Sequence, residues 1–346
     1  MNFGILKNEF GDNHLFWSRS CEDFDIDYTV IDMLSSNWLD EIKSGDFDAF
    51  LACPPGMETL YKNMYDEKIY ILDKVLSYFV YPSYDEISIH ENKKYLSYWL
   101  KAVNLPSQGT YVFYHKTEAN LFIETCNFPI VGKINIGAGG RGVKVLYNKS
   151  SLSKYIKKAF GEGLTQKWGP NLRMGSFGSR ILSIIKDPVK ILNRLAVYKR
   201  TKNEVQKNYV ILQDFVSHTF EWRIVKIGDS YFGHQKIKDG EKASGTKGVS
   251  YVSPPDQLLN FVRNICIKHN FNSMAVDVFE DGNGGYFINE LQTIFGHVQD
   301  YICEQNGEPG RFIFKKNKWE FEAGLFNNNL SYDLRLKDVI QLLSKK

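Results

Sequence analysis

The stretch PIVGKINIGAGGRGV, residues 129–143, sets Lys133 just ahead of Gly137, Gly139, Gly140, Arg141 and Gly142. Glycines this close together let backbone N–H groups approach a bulky anion, most often a phosphate. Three nucleotide-binding designs use such a loop, and the flanking residues choose between them. GAGGRG matches GxGxxG, but a dinucleotide fingerprint needs a helix after the loop, and here a strand pattern, VKVLY, follows. A Walker A loop ends in GK[ST], which this one does not. A protein-kinase loop has its lysine after the glycines and partners it with HRD and DFG, and the chain has neither. What remains is a strand–loop–strand flap behind a lysine, or an ordinary glycine-rich hairpin.

A second constellation lies in MAVDVFEDGNGGYFINELQ. With the turn centred between Asn283 and Gly284, Asp277 falls opposite Glu290 and Gln292 opposite Ala275. Side chains two apart share a face, so Asp277, Glu290 and Gln292 project together while Val276, Val278, Phe287 and Leu291 fill the reverse. Carboxylates directly opposite on a sheet repel. A divalent cation offsets that repulsion, and oxygen-only ligands suit Mg²⁺; a solvated face that tolerates both acids is the other reading. In FEWRIVKIGDSYFGHQKIK, a turn at Gly228–Asp229 pairs Glu221 with Lys236 and Arg223 with His234. Alone this is a surface ion-pair ladder; beside a phosphate flap, the Arg–Lys face is a phosphate clamp.

These groups need a scaffold. In 346 residues, 43% hydrophobic and 24% charged, the chain is long enough for two or three packed lobes. A net charge of +3 points to no nucleic-acid or membrane partner. Cys21, Cys53, Cys126, Cys266 and Cys303 form no CxxC pair, which suits a reducing compartment without disulfides or a zinc site. The N-terminal residues lack a signal-peptide pattern, and no apolar run is long enough to span a bilayer, so a cytoplasmic protein is expected. FGIL, YTVID and FDAFLACPPG read as strands around the helix SSNWLDEIKSG. ENKKYLSYWLKAV carries a helical stripe, and SSLSKYIKKAF reads as a helix with a serine cap. Residues 165–208 are strongly basic, with Asp187 and Pro188 opening a helix that reaches Arg200. A hairpin around FIFKKNKWEFE and a helix near 333–344 close the chain.

This order of parts resembles the ATP-grasp superfamily, in particular its glutathione-synthetase and RimK-like carboxylate–amine ligase branch, over roughly residues 88–296. The fold it implies is α/β (α+β): two α+β subdomains clasping ATP, preceded by a small α/β pre-ATP-grasp domain. The corresponding division is 1–88, then 89–210 with the flap and the basic helical insertion 165–208, then 211–346. By the same resemblance, ENKKY supplies a phosphate contact through Lys94, or Lys93, and Lys133 supplies a second. Gly137, Gly139, Gly140, Arg141 and Gly142 form the flap. LQDFV offers Gln213, Asp214, Phe215 and Val216 as the adenine hinge, Glu221 meets the ribose and Arg223 phosphate, with Arg223 and Lys236 as the catalytic candidates. Asp277, Glu290 and Gln292 match the metal ligands, two Mg²⁺ ions with Mn²⁺ as an alternative. Gln292 stands where the family usually has Asn. The family's substrate-proximal arginine and asparagine are not recognisable in GEKASGTKGVSYV, leaving Lys236, Lys238 and Lys242 as stand-ins.

The activity implied is ATP-dependent ligation: a carboxylate becomes an acylphosphate, an amine displaces phosphate, and ADP is released. A phosphotransferase acting on a hydroxyl, or a non-catalytic nucleotide-binding module, are the competing classes. Expected partners are a small-molecule, peptide or sugar-acid substrate and no nucleic acid. The 165–208 segment is either a solvated basic helix or a dock for a lipid-linked substrate or anionic membrane.

Overall fold

The computed structural model describes residues 1–10, 12–137, 140, 142–166, 204–239, 242–243, 248–282, 284–295 and 301–345. The N-terminal unit alternates strand and helix: β1 (Asn2–Lys7), α1 (Leu15–Asp23), β2 (Asp27–Asp32), α2 (Trp38–Ser44), β3 (Ala49–Ala52), α3 (Thr59–Tyr70), β4 (Val80–Tyr81) and α4 (Tyr84–Ile89). Its strands lie parallel in the order β2-β1-β3-β4. Such a sheet needs both faces covered. Leu6, Phe50 and Ala52 meet Ile42, Tyr65 and Ile69 of α2 and α3 on one face. On the other, Phe3, Ile5, Ala49 and Leu51 meet Trp17 and Cys21 of α1. The rest of that second face is covered from far along the sequence, by Tyr332, Leu336 and Val339.

The middle unit comprises α5 (Lys93–Ala102), β5 (Thr110–Phe113), α6 (Lys116–Thr125), β6 (Ile130–Lys133), β7 (Lys144–Leu146), α7 (Lys149–Phe160), β8 (Leu164–Thr165), β9 (Val205–Gln206) and β10 (Val210–Asp214). β5-β10-β6-β7 form an antiparallel sheet backed by α6 and α7, and β8 pairs with β9. Odd and even positions divide the work. Ile130, Val210 and Leu212 pack on the helices, leaving Lys133 beside Ile211 on the opposite face. The cap of α7 is Asn148, whose Oδ1 accepts from Ser151 N at 2.9 Å while Ser151 Oγ accepts from Asn148 N at 3.2 Å. This corrects the serine cap expected from sequence: Asn148, two positions before Ser150, completes a two-way capping box. The basic helix expected at 187–200 lies outside the described residues.

The C-terminal unit holds β11 (Phe220–Ile227), β12 (Ser230–Asp239), β13 (Lys242–Ala243), β14 (Val249–Ser250), α8 (Asp256–Lys268), β15 (Ser273–Glu280), β16 (Tyr286–Gln292), β17 (Glu304–Gln305), β18 (Glu308–Lys315), β19 (Lys318–Ala323) and α9 (Tyr332–Leu343). Its sheet runs β16-β15-β11-β12-β18-β17, with β19 on β18. α8 supplies Leu258, Leu259, Val262 and Ile265 to the core, and α5 reaches across with Leu96 and Leu100. Packing differs from the sequence division at both ends of 211–346: β10 belongs to the middle sheet, and α9 to the N-terminal core. All five cysteines are free. No helix among the described residues is long and apolar enough to cross a membrane.

Candidate active site

β11 and β12 pair Glu221 with Lys236 and Arg223 with His234, the register expected from a turn at Gly228–Asp229. β11 also pairs with β15, setting Arg223 beside Asp277. On the next strand, Asp277 lies opposite Glu290 and Ala275 opposite Gln292. Just past Asp277 the register slips, because Asn289 is an extra residue between Glu290 and Ile288. This bulge corrects the expected reverse face. Ile288, not Phe287, joins Val276, Val278 and Leu291 in the core, while Phe287 pairs with Phe279. The turn residue Asn283 lies outside the described residues. A bulge re-aims side chains, and here it brings Asn289 into the site: its Nδ2 donates to Glu221 Oε1 at 2.6 Å and its Oδ1 accepts from Lys133 Nζ at 3.3 Å.

The floor of the site is a buried ionic chain. Arg223 grips Asp277 with two parallel bonds, Nε to Oδ1 at 2.8 Å and Nη2 to Oδ2 at 2.9 Å. Lys236 Nζ donates to Asp277 Oδ2 at 2.5 Å and lies 2.8 Å from Glu221 Oε2. Arg223 Nη2 continues to Gln292 Oε1 at 3.0 Å. Burial works against the Asp277 carboxylate, but Arg223 and Lys236 outweigh it and hold its pKa well below the usual range. Burial also opposes the Arg223 charge, and Asp277 overcomes it, so the guanidinium stays firmly protonated. Burial raises the pKa of Glu221 despite Lys236.

The like-charge argument for a cation therefore falls. Asp277 and Glu290 are opposite, yet Asp277 has two cationic partners and Glu290 lies 3.6 Å from Lys93 Nζ. Among the described residues no group of three His, Cys, Asp or Glu is placed to hold a metal ion. Glu290, with one loose partner among the described residues and its side chain 25% exposed, still offers an oxygen to a hard cation, whereas the Asp277 oxygens are taken.

Across the site, α5 and the flap bring two more ammonium groups. Lys93 Nζ donates to Gly137 O at 2.8 Å and to Glu91 Oε2 at 3.0 Å. Burial works against its charge, but Glu91 and Glu290 prevail and raise its pKa. Lys94 turns elsewhere, its ammonium 4.2 Å from the centre of the Tyr209 ring and 5.3 Å from that of Tyr114. Of the two lysines in ENKKY, Lys93 is thus the one gathered with Glu290. Burial pulls the Lys133 pKa down to about 8, against the pull of Glu290. Gly140 and Gly142 have φ of +67° and +74°; a Cβ on Gly142 would sit 2.4 Å from Ile134 Cδ1. Gly139 and Arg141 lie outside the described residues.

The hinge residues are largely engaged. Gln213 Nε2 donates to Thr110 Oγ1 at 3.0 Å and Gln108 Oε1 at 3.3 Å, so that side chain serves the sheet. Asp214 accepts from Tyr111 OH at 3.4 Å. The Phe215 ring has Lys238 Nζ 5.5 Å from its centre, and Val216 O lies 2.8 Å from His218 Nδ1. His234 is buried, its Nδ1 2.9 Å from Ile302 O. The side chain of Lys242 lies outside the described residues.

Two members of the site escape the sequence reading. Asn289 had a signal: Asn289 and Glu290 are consecutive polar residues that break the alternation in YFINELQ, as a bulge does. Glu91 had none beyond preceding the lysines. It is buried, and that burial together with the nearby Glu290 charge pushes its pKa up to about 7 against the pull of Lys93.

No protein-family model matches the chain, and no curated protein matches it in sequence. Solved structures do match. The D-alanine–D-alanine ligase of Bacillus anthracis is 12% identical, with 100% of this chain and 98% of that one covered at a TM-score of 0.53. The ATP-grasp ligase PsnB, solved with a minimal precursor, Mg and ADP, is 10% identical over 99% and 98%, at 0.53. The N5-carboxyaminoimidazole synthetase of Staphylococcus aureus, solved with ADP, is 11% identical over 89% and 71%, at 0.54. Identities this low speak for architecture and nothing finer: the chain has the ATP-grasp fold.

Proposed function

We propose that this chain is an ATP-dependent carboxylate–amine ligase. The observation that carries the reading is the convergence of Lys93, Lys133 and the positive-φ glycines on Glu290 and the Arg223–Asp277–Lys236 floor. Among the described residues, Lys93, Lys133, Arg223 and Lys236 are matched in number by Glu91, Glu221, Asp277 and Glu290, so this part of the site is close to neutral. An entering polyphosphate brings excess negative charge, which is the physical reason for a divalent ion to arrive with it. Glu290, joined by oxygens of Asp277 and Gln292 once Arg223 lets them go, would hold Mg²⁺, which supplies positive charge to phosphate oxygens.

The chain's own residues bind and orient. Lys93, Lys133 and the N–H groups of Gly140 and Gly142 take the phosphates, and the hinge 213–216 takes the base. Arg223 exchanges Asp277 for the transferring phosphoryl group, where positive charge fixed in advance is most effective. A substrate carboxylate oxygen bonds the γ-phosphorus as the bond to ADP breaks. An amine nitrogen then bonds the acyl carbon, phosphate leaves, and the amine loses a proton. No covalent enzyme intermediate is required.

ADP release across pooled carboxylates and amines, followed by mass analysis, tests the proposal. An amide product and loss of turnover in Lys133→Ala are expected. A phosphate ester would make the chain a phosphotransferase, and no nucleotide binding would overturn the reading.

A further inference from the structure

Glu91 belongs to none of the roles above, yet it sits at the centre of the site. It is 5% exposed, with φ of +52°, an uncommon conformation for a residue other than glycine. Its Cγ lies 2.6 Å from where a Cβ on Gly56 would stand, so the N-terminal unit leaves a glycine-sized gap for this side chain. One oxygen accepts from Lys93 Nζ at 3.0 Å, the other from Gln292 Nε2 at 2.9 Å. Paired with the Lys93 ammonium, the Glu91 carboxylate accepts at both oxygens, and a guanidinium only donates. Gln292, held between Glu91 and Arg223, can therefore satisfy both in one orientation alone, with Nε2 to Glu91 and Oε1 to Arg223. A flipped amide would set donor against donor and acceptor against acceptor.

Resting on the ligase reading, we infer that Glu91 is a positioning residue that fixes which end of the Gln292 amide faces the phosphate and its metal. When Arg223 turns to phosphate, Glu91 is the group left to hold Nε2, and the carbonyl oxygen stays turned toward the incoming cation. Partners that orient a metal ligand in this way are worth about 10- to 100-fold in metal affinity.

The test is a double-mutant cycle read by calorimetry of ATP binding across a Mg²⁺ titration, without turnover. Glu91→Asn is the first variant, because asparagine tolerates a left-handed backbone and cannot reach Gln292. It should raise the Mg²⁺ concentration for half-maximal ATP binding by about tenfold or more. In a Gln292→Asn background, where the shorter amide no longer reaches Glu91, the same change should have an effect of about twofold or less. Its effect on ATP affinity without Mg²⁺, which reads Lys93, should be equal in both backgrounds. Gly56→Ala, which crowds Glu91 while keeping its carboxylate, should reproduce the pattern at smaller amplitude and serves if Glu91→Asn does not fold. Equal Mg²⁺ shifts in both backgrounds would overturn the inference while leaving the ligase reading intact. A parent protein that binds no ATP would overturn both.

Discussion

Asp277→Asn separates a buried ion-pair floor from a pair of acids that wait for metal. If the acids merely repelled, removing one charge would leave the unliganded protein unchanged or more stable. The structure gives the opposite sign. Asp277 is 1% exposed and holds Arg223 at 2.8 and 2.9 Å and Lys236 at 2.5 Å. Removing one partner of a buried pair costs about 3–5 kcal/mol, because the other charge is left uncompensated. Lys236 keeps Glu221 and Arg223 keeps Gln292, so the lower end applies, about 3 kcal/mol. Glu290→Gln removes a single loose contact at 3.6 Å from a partly exposed side chain, worth below about 1 kcal/mol. Urea unfolding without nucleotide or metal measures both, read as midpoint shifts at unchanged slope. A depressed folded pKa contributes stability above the ordinary Asp value of 3.8 and loses it as pH falls below. The Asp277→Asn deficit should thus be flat from neutral pH to about pH 4 and shrink in stronger acid. A variant within about 1 kcal/mol of the parent, or an equal cost at Glu290, would refute the reasoning.

Lys133→Met should raise stability at pH 7 while abolishing ATP binding by calorimetry. Its folded pKa of about 8 lies below the ordinary 10.5, so the unfolded chain binds the extra proton and parent stability climbs between those values; the variant should lose that climb. Gly142→Ala, with φ of +74° and a neighbour 2.4 Å from the new Cβ, should lower both stability and ATP affinity. Gly284→Ala, with nothing within 4 Å, should cost about 1 kcal/mol of backbone strain and leave affinity unchanged. Asp338 accepts from Tyr81 OH at 2.9 Å, and burial lifts its pKa to about 6. A raised carboxyl pKa means stability falls as pH climbs from 3.8 through 6. Asp338→Asn should therefore melt higher than the parent at pH 8 and equally at pH 3.5.

What was legible in the sequence followed strict periodicity. The period-2 alternation about short turns gave the pairings Glu221–Lys236, Arg223–His234 and Asp277–Glu290. A period-3.6 stripe gave α5. What escaped depends on contacts between distant segments. Val278–Ile288 and Phe279–Phe287 pair one residue out of the register expected from a turn between Asn283 and Gly284, and the extra Asn289 restores it at Asp277–Glu290, so that pairing alone does not betray the bulge. The choice between Lys93 and Lys94 is one helical step of about 100°. The positions of Glu91, Gly137 and Glu290 about one lysine, and of Tyr114 and Tyr209 about the other, decide it. Counter-charges were the larger gap. The sequence shows two facing acids but not that β11 delivers a guanidinium between its neighbours.

The placement of α9 has a consequence for how the molecule comes into being. Strands β1 to β4 have all been synthesised once Tyr81 is joined, yet part of one face of their sheet is covered by Tyr332, Leu336 and Val339. At about 5–20 residues per second, some 260 further residues occupy the ribosome for about 13–52 seconds. Through that interval Phe3, Ile5 and Leu51 lie under an incomplete roof, while the other face, served by α2 and α3, is already closed. The half-covered face is then a surface for a chaperone or for a neighbouring nascent chain. Completion of this sheet is timed by arrival of α9.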